Sequence, residues 1–463
     1  MTNAPTGIVE PEASLENSLG LSPEHVQAVI QSIDAGNVDD IRTLVEPLHS
    51  ADVADLLEQL EPDERRVLVD VIRIFVASEV LPHLGDALLD DVVEHLGVHD
   101  VAAAMADLDV DDAIDILKDL DEDGQREVLE ALPSFERLQI EEGLAFPEDS
   151  AGRLMQRDFM AIPAYWAVGQ TIDYMRRTED LPDEFYEIFV VDPSHHPMGT
   201  VPLYRAMCAK RPVLIGDIME TDPVLFPVEM DQEDVAYHFQ QYDLTSAGVV
   251  DDSNRLIGVI MVDDVVDVIH EEAEEDIMRL AGVGESDIFW TVAETTKRRF
   301  LWLLVNLGTA VLASAVISLF GATIEQIVVL AILMPIVASM GGNAGTQTMT
   351  ITVRALATRD LTVTNTFRVV SKELIVGFIN GLLFAAMVAA IVTFWFGGVT
   401  LGGVIAAAMI INMVVAALAG ILIPLGFSRF GVDPAVAATV FVTTVTDVVG
   451  FFAFLGLGAW FLL

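Results

Sequence analysis

The sequence has few basic residues and almost no cysteine. Of 463 residues, 24 are Lys or Arg against 71 Asp or Glu, and the net charge is -47. Phosphate groups are repelled by such an excess of carboxylates, which argues against a nucleic-acid partner. Cys208 is the single cysteine, so a disulfide framework and a cysteine-rich metal site are excluded. The first twenty residues lack a basic and then an apolar segment, so we expect no signal peptide.

Lysine is scarce even among the bases: only Lys118, Lys210, Lys297 and Lys372 are present. Many acids with little lysine are typical of a protein in concentrated salt, where screening acts over a few ångströms. We therefore expect a halophilic protein. In such a protein an acidic cluster alone is weak evidence for function, because salt adaptation places acids everywhere.

The charge is confined to one part of the chain. Residues 1–290 hold 65 acids and 16 bases, whereas residues 291–463 hold 6 acids and 8 bases. A membrane-spanning helix needs about 20 apolar residues. Five segments of the second part meet this condition and predict a bundle of five transmembrane helices: 300–320, 327–350, 374–396, 402–426 and 435–462.

The remaining bases predict the orientation of these helices. They lie at 297–299, in the 354–372 loop and at Arg429, whereas the links near 321–326 and 397–401 have none. Loops rich in Lys and Arg stay in the cytoplasm. We therefore expect a multi-pass protein of the plasma membrane with residues 1–299 in the cytoplasm and the C-terminus outside.

One acidic residue lies inside a predicted membrane helix. Asp447 occurs in FVTTVTDVVGFF, with the hydroxyl oxygens of Thr443 and Thr444 close by in sequence. Ionisable groups within a bilayer are costly and usually functional. Hard cations such as Mg²⁺ prefer oxygen ligands, so the pattern predicts a cation path. The alternative is a structural aspartate bonded to the backbone of a neighbouring helix.

A second polar stretch, LMPIVASMGGNAGTQTMT (333–350), also falls within a predicted span. Pro335 and several glycines, including Gly345, weaken a helix there, while Asn343 and Gln347 place amides at membrane depth. Broken or polar membrane segments are tolerated where they face protein or a water-filled cavity. The stretch predicts the lining of a pore. The alternative, that small residues allow close helix packing, explains the glycines but not the amides.

The acidic part begins with a repeat of twelve residues. Apolar residues recur at 48, 60, 72, 84, 96, 108, 120, 132 and 144, with i, i+3, i+4 patterns between them. This predicts short stacked helices, an all-α solenoid, that binds or relays rather than catalyses. Its acids form a solvated face by default.

From about residue 150 the pattern changes to alternating strands and helices. The unit from 217 to 269 resembles a CBS domain, and a weaker copy covers roughly 154–211, so an α/β CBS pair is expected. CBS units that bind adenosine phosphates usually carry a hydroxyl residue where Met261 stands here. Pro202 stands at the matching place in the first copy. The sequence therefore argues against ATP binding at either copy.

The order of these segments resembles the MgtE family of magnesium transporters, over about residues 45–460. GGNAGTQ (341–347), RALATRDL (354–361) and GVDPAVAATVFVTTVTDVVGFF (431–452) carry the resemblance. The expected fold is multidomain, with a five-helix membrane bundle, a cytosolic solenoid and a CBS pair. The domains are expected at 1–44 (tail and first helix), 45–150 (solenoid), 151–269 (CBS pair), 270–297 (acidic connecting helix) and 298–463 (pore domain).

The resemblance implies a homodimeric, channel-like transporter that carries Mg²⁺ across the lipid bilayer. Asp447 matches the pore aspartate of the family, Thr443 lines the same path, and Asn343, Gly345, Gln347 and Thr444 are further lining candidates. It also implies that cytosolic Mg²⁺ keeps the pore shut. The positions implied to bind this regulatory Mg²⁺ are Glu79, Asp111, Asp231, Glu233, Asp243, Asp264, Asp267, Glu272, Glu275 and Asp276.

Enzymatic functions are not indicated. No P-loop motif occurs, and HEEAE at 270–274 lacks the second histidine of a zinc-protease motif. Two alternatives to a channel stay open. One is a carrier of Mg²⁺, Co²⁺ or Mn²⁺ coupled to Na⁺ or H⁺, and the other is a membrane-anchored divalent-cation sensor that conducts nothing.

Overall fold

The computed structural model describes residues 21–283 and 292–463, apart from 107, 121, 179–180, 183–184 and 363. Residues 1–20 of the expected tail and residues 284–291 of the expected connecting segment lie outside the described residues. The chain forms two compact units, Met1–Ile269 and His270–Leu463. The domain boundaries expected from sequence stay predictions.

From residue 21 onward, the described part of the first unit starts with ten short helices around one apolar core. They are α1 (Pro23–Asp34), α2 (Val38–Val45), α3 (Ser50–Gln59), α4 (Pro62–Val71), α5 (Arg73–Phe75), α6 (Asp86–Leu96), α7 (Val98–Met105), α8 (Val110–Asp119), α9 (Glu122–Ala131) and α10 (Ser134–Leu144). The repeating apolar positions, such as Leu60 and Leu120, are buried at helix ends and tie neighbouring helices together. This confirms the predicted helical domain, although α1 and α2 show two helices where the sequence predicted one before residue 45.

The repeat is interrupted between α4 and α6. In place of one regular helix, α5 is followed by a π-helical turn at Val76–Val80 and a 3₁₀ turn at Leu81–His83. Pro82 has no backbone N–H and ends the helical hydrogen-bond ladder there. Val76, Val80 and Leu81 still reach the core, so the apolar spacing survives while the helix geometry does not.

The rest of this unit contains two small sheets of the same design. The first joins β1 (Ala161–Pro163), β2 (Glu187–Val191) and β3 (Pro197–Pro202), with α11 (Val168–Met175) and α12 (Leu203–Cys208). The second follows α13 (Ile215–Ile218) and joins β4 (Leu225–Pro227), β5 (Ser246–Val250) and β6 (Leu256–Met261), with α14 (Gln232–Tyr242). In both sheets the first strand pairs in parallel and the last in antiparallel fashion. This confirms the CBS pair, including its weaker first copy.

The two sheets even share their hairpin turns. Asp192 accepts hydrogen bonds from the backbone N–H groups of Ser194 and His196, and Asp251 accepts from those of Ser253 and Arg255. One residue of each turn, His195 or Asn254, has a positive φ. The ladder shifts by one residue after Val190 in one sheet and after Val249 in the other.

Five long apolar helices lie among the described residues of the second unit. They are α16 (Val292–Ser318), α18 (Val329–Ala357), α19 (Thr366–Phe396), α20 (Val399–Arg429) and α21 (Pro434–Leu462), with the short α17 (Gly321–Gln326) between the first two. All five are long and apolar enough to cross a membrane, as predicted. Most run beyond the predicted spans because polar residues continue the helix outside the apolar run. A further helix, α15 (Val262–Ala281), includes the last residues of the first unit and the first of the second.

Two details of helices α18 and α15 are visible only in the structure. Helix α18 is continuous through Pro335 and the glycines, because backbone groups at membrane depth must find partners within the segment. Helix α15 begins at Val262, so Asp263 and Asp264 lie in its first turn. Asp264 Oδ2 accepts a hydrogen bond from the backbone N–H of Met261, 3.4 Å away.

Candidate functional site

Asp447 lies on α21 within an apolar stretch long enough to cross a membrane, and its side chain is half-buried. Thr443 precedes it by one helical turn on the same face. The Thr444 hydroxyl donates to the Val440 carbonyl, 2.6 Å away, which leaves its oxygen able to accept. Helix α21 thus presents one carboxylate and two hydroxyl oxygens.

A cavity of about 530 Å³ opens beside these residues, within the second unit. Its walls come from α21, from α16 and from residues 280–283 at the end of α15. Apolar and aromatic groups such as Trp302 and Leu303 form part of the wall. The uncharged or acidic side chains with oxygen atoms in the lining are Asn306, Thr309, Thr439, Thr443, Thr444 and Asp447.

The size of the cavity suits a hydrated cation. Mg²⁺ gives up its water reluctantly and usually keeps several waters in protein sites. Six waters occupy about 180 Å³ at about 30 Å³ each. The cavity could therefore accept the ion with its whole inner water shell and leave room for movement.

One base, Arg299, also lines this cavity. It precedes Asn306 by seven residues on α16, which separates the two backbones by about 10 Å along the helix axis. Asn306 and Arg299 therefore lie at different levels of the cavity.

The predicted lining residues of α18 are not part of this cavity. In the single chain, Asn343 and Gln347 are exposed on the helix surface. Gly345 is buried, and a Cβ there would lie 2.6 Å from Cγ1 of Val442 on α21. Gly345 thus allows α18 and α21 to approach closely, which supports the packing alternative for this glycine and not a lining role.

A buried amide joins three membrane helices. Asn412 of α20 is fully buried, and its Nδ2 donates to the Val337 carbonyl of α18, 2.9 Å away. A Cβ on Gly341 of α18 would overlap this Nδ2, and one on Gly450 of α21 would lie 2.7 Å from it. The amide therefore fills a space that two glycines leave open. Sequence reasoning missed Asn412, although an amide inside an apolar run was a usable signal.

The end of α15 is bound to the start of α21. Arg279 pairs with Glu275 of its own helix and with Asp433, the N-cap of α21, at 2.8 Å between Nη1 and Oδ2. The Thr439 hydroxyl donates to the Leu280 carbonyl, 3.0 Å away. Gly282 ends the helix with a positive φ, and a Cβ there would overlap the indole of Trp302. Arg279 and Asp433 are 154 residues apart, and no local pattern in the sequence signals their contact.

The predicted acids of the connecting helix lie near this contact. Glu275 pairs with Arg279. Burial raises the pKa of Asp276, and the charges of Asp433 and Glu272 raise it further. The structure therefore brings Glu272, Asp276 and Asp433 into one electrostatic neighbourhood, and only Asp433 was missed from the sequence.

A second acidic neighbourhood lies in the first unit, between α8 and the start of α15. Asp111 is 5% exposed, so a solvated face is the wrong description for this residue. Burial raises its pKa well above the usual range, and the charge of Asp264 raises it further. Burial also raises the pKa of Asp264 to about 8, with Asp263 adding to the effect. The pKa of Asp112 rises to about 6, mainly from burial and then from Asp109.

Other predicted regulatory acids are dispersed. Glu79 is exposed on the π-helical turn, and Asp231 caps α14 by accepting from the backbone N–H of Glu233. Asp243 ends the same helix with a positive φ. Asp267 faces His83, whose pKa burial and His49 lower while Asp267 acts in the opposite direction. Among the described residues, no three His, Cys, Asp or Glu side chains converge closely enough to hold one metal ion.

The cleft between the two CBS sheets is lined by acids. It has a volume of about 140 Å³ and includes Glu187, Glu220, Asp222 and Asp243. Burial raises the pKa of Glu187, and the charge of Glu220 adds to this. The lining residues described there include no Lys or Arg, so phosphate groups would meet carboxylates.

Family models match three parts of the chain. A divalent cation transporter domain, MgtE, matches residues 334–457, the MgtE intracellular N domain matches 48–149, and a CBS domain matches 215–271. One solved structure, the cytosolic domain of the Mg²⁺ channel MgtE in complex with ATP, is 27% identical with a TM-score of 0.49. The match covers 52% of this chain and 99% of that one.

Two curated relatives match most of the sequence. The magnesium transporter MgtE of Enterococcus faecalis is 31% identical over 71% of this chain and 73% of its own length. The magnesium transporter MgtE of Thermus thermophilus is also 31% identical, over 92% of this chain and 96% of its own length. With a match of this extent added to the shared domain order and five apolar helices, the chain belongs to the MgtE family of divalent cation transporters.

Proposed function

We propose that this multi-pass membrane protein transports Mg²⁺. The observation that carries the proposal is the cavity that Asp447 of α21 lines together with polar side chains of α16. A carboxylate at membrane depth attracts a cation, and neutral oxygens accept hydrogen bonds from its water shell. The family and the names of its relatives support Mg²⁺ as the cargo.

Asp447 and Thr443 are the ion-binding residues of this path. Since Mg²⁺ keeps its waters, both side chains act through hydrogen bonds to those waters. Conduction needs binding that is strong enough for entry and weak enough for release. One carboxylate per chain with neutral oxygens meets this need better than a cluster of acids would. Thr444 lies beside them and supplies a further acceptor.

The functional form of the protein is a homodimer in the lipid bilayer. Asn343 and Gln347 are exposed on α18 near the middle of an apolar helix. Amides facing lipid are costly, and such groups usually face protein or a water-filled path. A second copy against this face of α18 would give them both, and they would then line the path. The orientation proposed is that of the positive-inside rule, with residues 1–299 in the cytoplasm and the C-terminus outside.

Cytosolic Mg²⁺ closes the path through the acidic neighbourhoods. The Asp111 group fits a divalent ion, because its donors are carboxylates and Asp111 Oδ1 is buried without a hydrogen-bond partner. Asp111 and Asp264 would bind one ion as a pair, and Asp267, Glu272, Glu275 and Asp276 would attract further Mg²⁺ without three of them binding the same ion. Bound Mg²⁺ supplies positive charge that offsets carboxylate repulsion. Mg²⁺ shifts the equilibrium between the open and closed states only by the difference in its affinity for these two states. Glu79, Asp231, Glu233 and Asp243 are further candidates for this role.

Ion flux into liposomes tests the transport proposal. Purified protein is reconstituted in vesicles that contain a Mg²⁺-sensitive dye, and Mg²⁺ is added outside without any Na⁺ or H⁺ gradient. We expect uptake by the natural sequence and a loss of at least about a hundredfold in Asp447→Asn, since the ion then meets no carboxylate. Glu325→Gln, which removes an exposed carboxyl from α17, is the matched control and should transport normally.

Other outcomes would identify the alternatives. Uptake that appears only with an imposed Na⁺ or H⁺ gradient would support a coupled carrier. Vesicles with correctly inserted protein and no flux would support a non-conducting sensor. Normal flux in Asp447→Asn would contradict the assignment of the ion-binding aspartate.

A further inference from the structure

One wall of the cavity that Asp447 lines is formed by α16, and the polar residues of this helix that line the cavity lie on one of its faces. Trp302, Asn306 and Thr309 are spaced by four and three residues and are half-buried, and the next residue on this face, Ala313, is buried. Most other apolar residues of this helix, such as Leu304 and Leu312, are exposed. The helix therefore presents one polar face to the cavity and apolar faces elsewhere.

Asn306 is the only amide within the apolar stretch of α16. An amide inside a membrane helix is costly unless it faces water or a polar partner. Here it faces a cavity that already contains a carboxylate and several hydroxyls. The position of Asn306 is thus explained if water or hydrated ions fill the cavity and form hydrogen bonds with its amide.

The hydrogen bonding of Thr309 also supports an interaction between this face of α16 and the contents of the cavity. Its hydroxyl donates to the Asn306 carbonyl, 2.8 Å away, so the proton is engaged and the oxygen remains an acceptor. Ser314 on the same helix also donates to the backbone, to the Ala310 carbonyl at 2.9 Å, but its side chain is exposed outside the cavity. The hydroxyls of Thr309 and Ser314 both donate to a backbone carbonyl of α16, but only the Thr309 side chain lines the cavity.

We infer that Asn306, assisted by Thr309, holds the water shell of a hydrated divalent cation against Asp447 and so determines which divalent cations pass. The inference rests on the proposed transport function and assigns α16 a direct part in it. The waters of a divalent cation are strong donors, and the Asn306 Oδ1 and Thr309 Oγ1 atoms can accept from them. These acceptors are neutral, so each adds about the free energy of one hydrogen bond to ion binding, and the ion can still be released.

Selectivity follows from the water shell. Mg²⁺ holds six waters in a nearly fixed octahedron, whereas Ca²⁺ takes six to eight ligands in flexible geometry. Acceptors from two helices, α16 and α21, together recognise a water shell of fixed size. If the acceptors of α16 are removed, the Asp447 carboxylate still attracts a cation but distinguishes poorly between the water shells of Mg²⁺ and Ca²⁺. Loss of Asn306 should therefore affect apparent affinity and selectivity more than the maximal rate.

The test compares Asn306→Leu, Thr309→Val and the control Ser314→Ala in the liposome assay. Uptake is measured against Mg²⁺ concentration and then with Mn²⁺, Co²⁺ and Ca²⁺. A lost hydrogen bond to a group of this kind corresponds to about a five- to tenfold rise in KM, so we expect this for Asn306→Leu. Thr309→Val should raise KM about twofold to threefold. Asn306→Leu should also admit Ca²⁺ more readily relative to Mg²⁺, and Asn306→Gln should restore part of the preference.

Melting of the detergent-solubilised protein separates this role from a structural one. If Asn306 only packs against α21, Asn306→Leu should lower Vmax and the melting temperature together and leave KM and the Mg²⁺ to Ca²⁺ ratio unchanged. That result would overturn the inference. Flux that falls in Asp447→Asn but stays selective in Asn306→Leu would also overturn it while leaving the transport proposal intact. Absence of flux in the natural sequence would remove both.

Discussion

Arg279 Nη1 lies 2.8 Å from Asp433 Oδ2, and this ion pair joins the last turn of α15 to the N-cap of α21. The Thr439 hydroxyl reinforces the junction by donating to the Leu280 carbonyl. Both bonds lie beside the cavity that contains Asp447. A movement of the end of α15 would therefore act on the helix that carries the proposed ion-binding aspartate.

Removal of this ion pair should weaken closure. In Arg279→Gln the charge that attracts Asp433 is lost, while the hydrogen bond that the backbone N–H of Ala435 donates to the Asp433 carboxylate is retained. Partly exposed pairs contribute up to about 1 kcal/mol, which corresponds to about a fivefold shift in an equilibrium. We expect flux at inhibiting internal Mg²⁺ to rise by up to that factor, measured in vesicles loaded with Mg²⁺.

Arg368→Gln is the control for charge alone, because Arg368 is exposed in the same unit, outside the cavity. Its inhibition curve should match that of the natural sequence. Unchanged inhibition in Arg279→Gln would show that the ion pair has no part in closure.

Gly341 and Asn412 should behave as a coupled pair. In Gly341→Ala the new Cβ would overlap the Asn412 amide, and overpacking of this kind costs about 1–3 kcal/mol. We expect a lower melting temperature in detergent and recovery of more than half of the loss in Gly341→Ala/Asn412→Ala. The adjacent Gly342→Ala is a close control, since a Cβ there meets nothing within 4 Å. Additive losses in the double variant would contradict the contact.

The acids between α8 and α15 should make the first unit sensitive to pH. The pKa of Asp264 is raised to about 8 and that of Asp112 to about 6, against about 3.9 for an unfolded aspartate. The folded state thus retains protons that the unfolded state has released. Stability should therefore be full below about pH 4 as far as these groups are concerned, and should fall as pH rises from about 4 to about 8.

The measurement is the melting temperature of the full chain in EDTA at pH 5.5 and pH 8.5, at fixed high ionic strength. We expect a lower value at pH 8.5, and Mg²⁺ should recover it because divalent ions bind the ionised carboxylates. Asp264→Asn should reduce the pH dependence, whereas Glu130→Gln, an exposed acid of α9, should not. Equal pH dependence in all three proteins would contradict the assignment to Asp264.

The sequence was informative wherever a local pattern carried the signal. The twelve-residue spacing predicted the short helices, and apolar length predicted the five long ones. Asp447 was found because a charge in an apolar run is conspicuous. Asn306 and Asn412 are also polar residues within apolar segments. They were harder to recognise as functional candidates, because one amide lowers the mean hydropathy of a long apolar segment very little.

Contacts between distant segments could not be read in this way. Nothing local indicates that Arg279 meets Asp433, or that the two glycines Gly341 and Gly450 surround one amide. The glycine-rich stretch of α18 forms a continuous helix, because a helix-weakening composition does not break a helix where the backbone has no water to bond to. The burial of Asp111 could not be predicted from the sequence for a different reason. Acidic residues are frequent throughout the first unit, so no pattern distinguishes a buried one from an exposed one.

The matching hairpins of the two CBS sheets indicate a common evolutionary origin. Asp192 and Asp251 hold the same turn, with a positive φ at the third residue after each, His195 or Asn254. The shared turn, bulge and strand order are what a tandem duplication of one ancestral segment would leave behind. The copies have since diverged at the residue that pairs with the aspartate, which is His196 in one and Arg255 in the other.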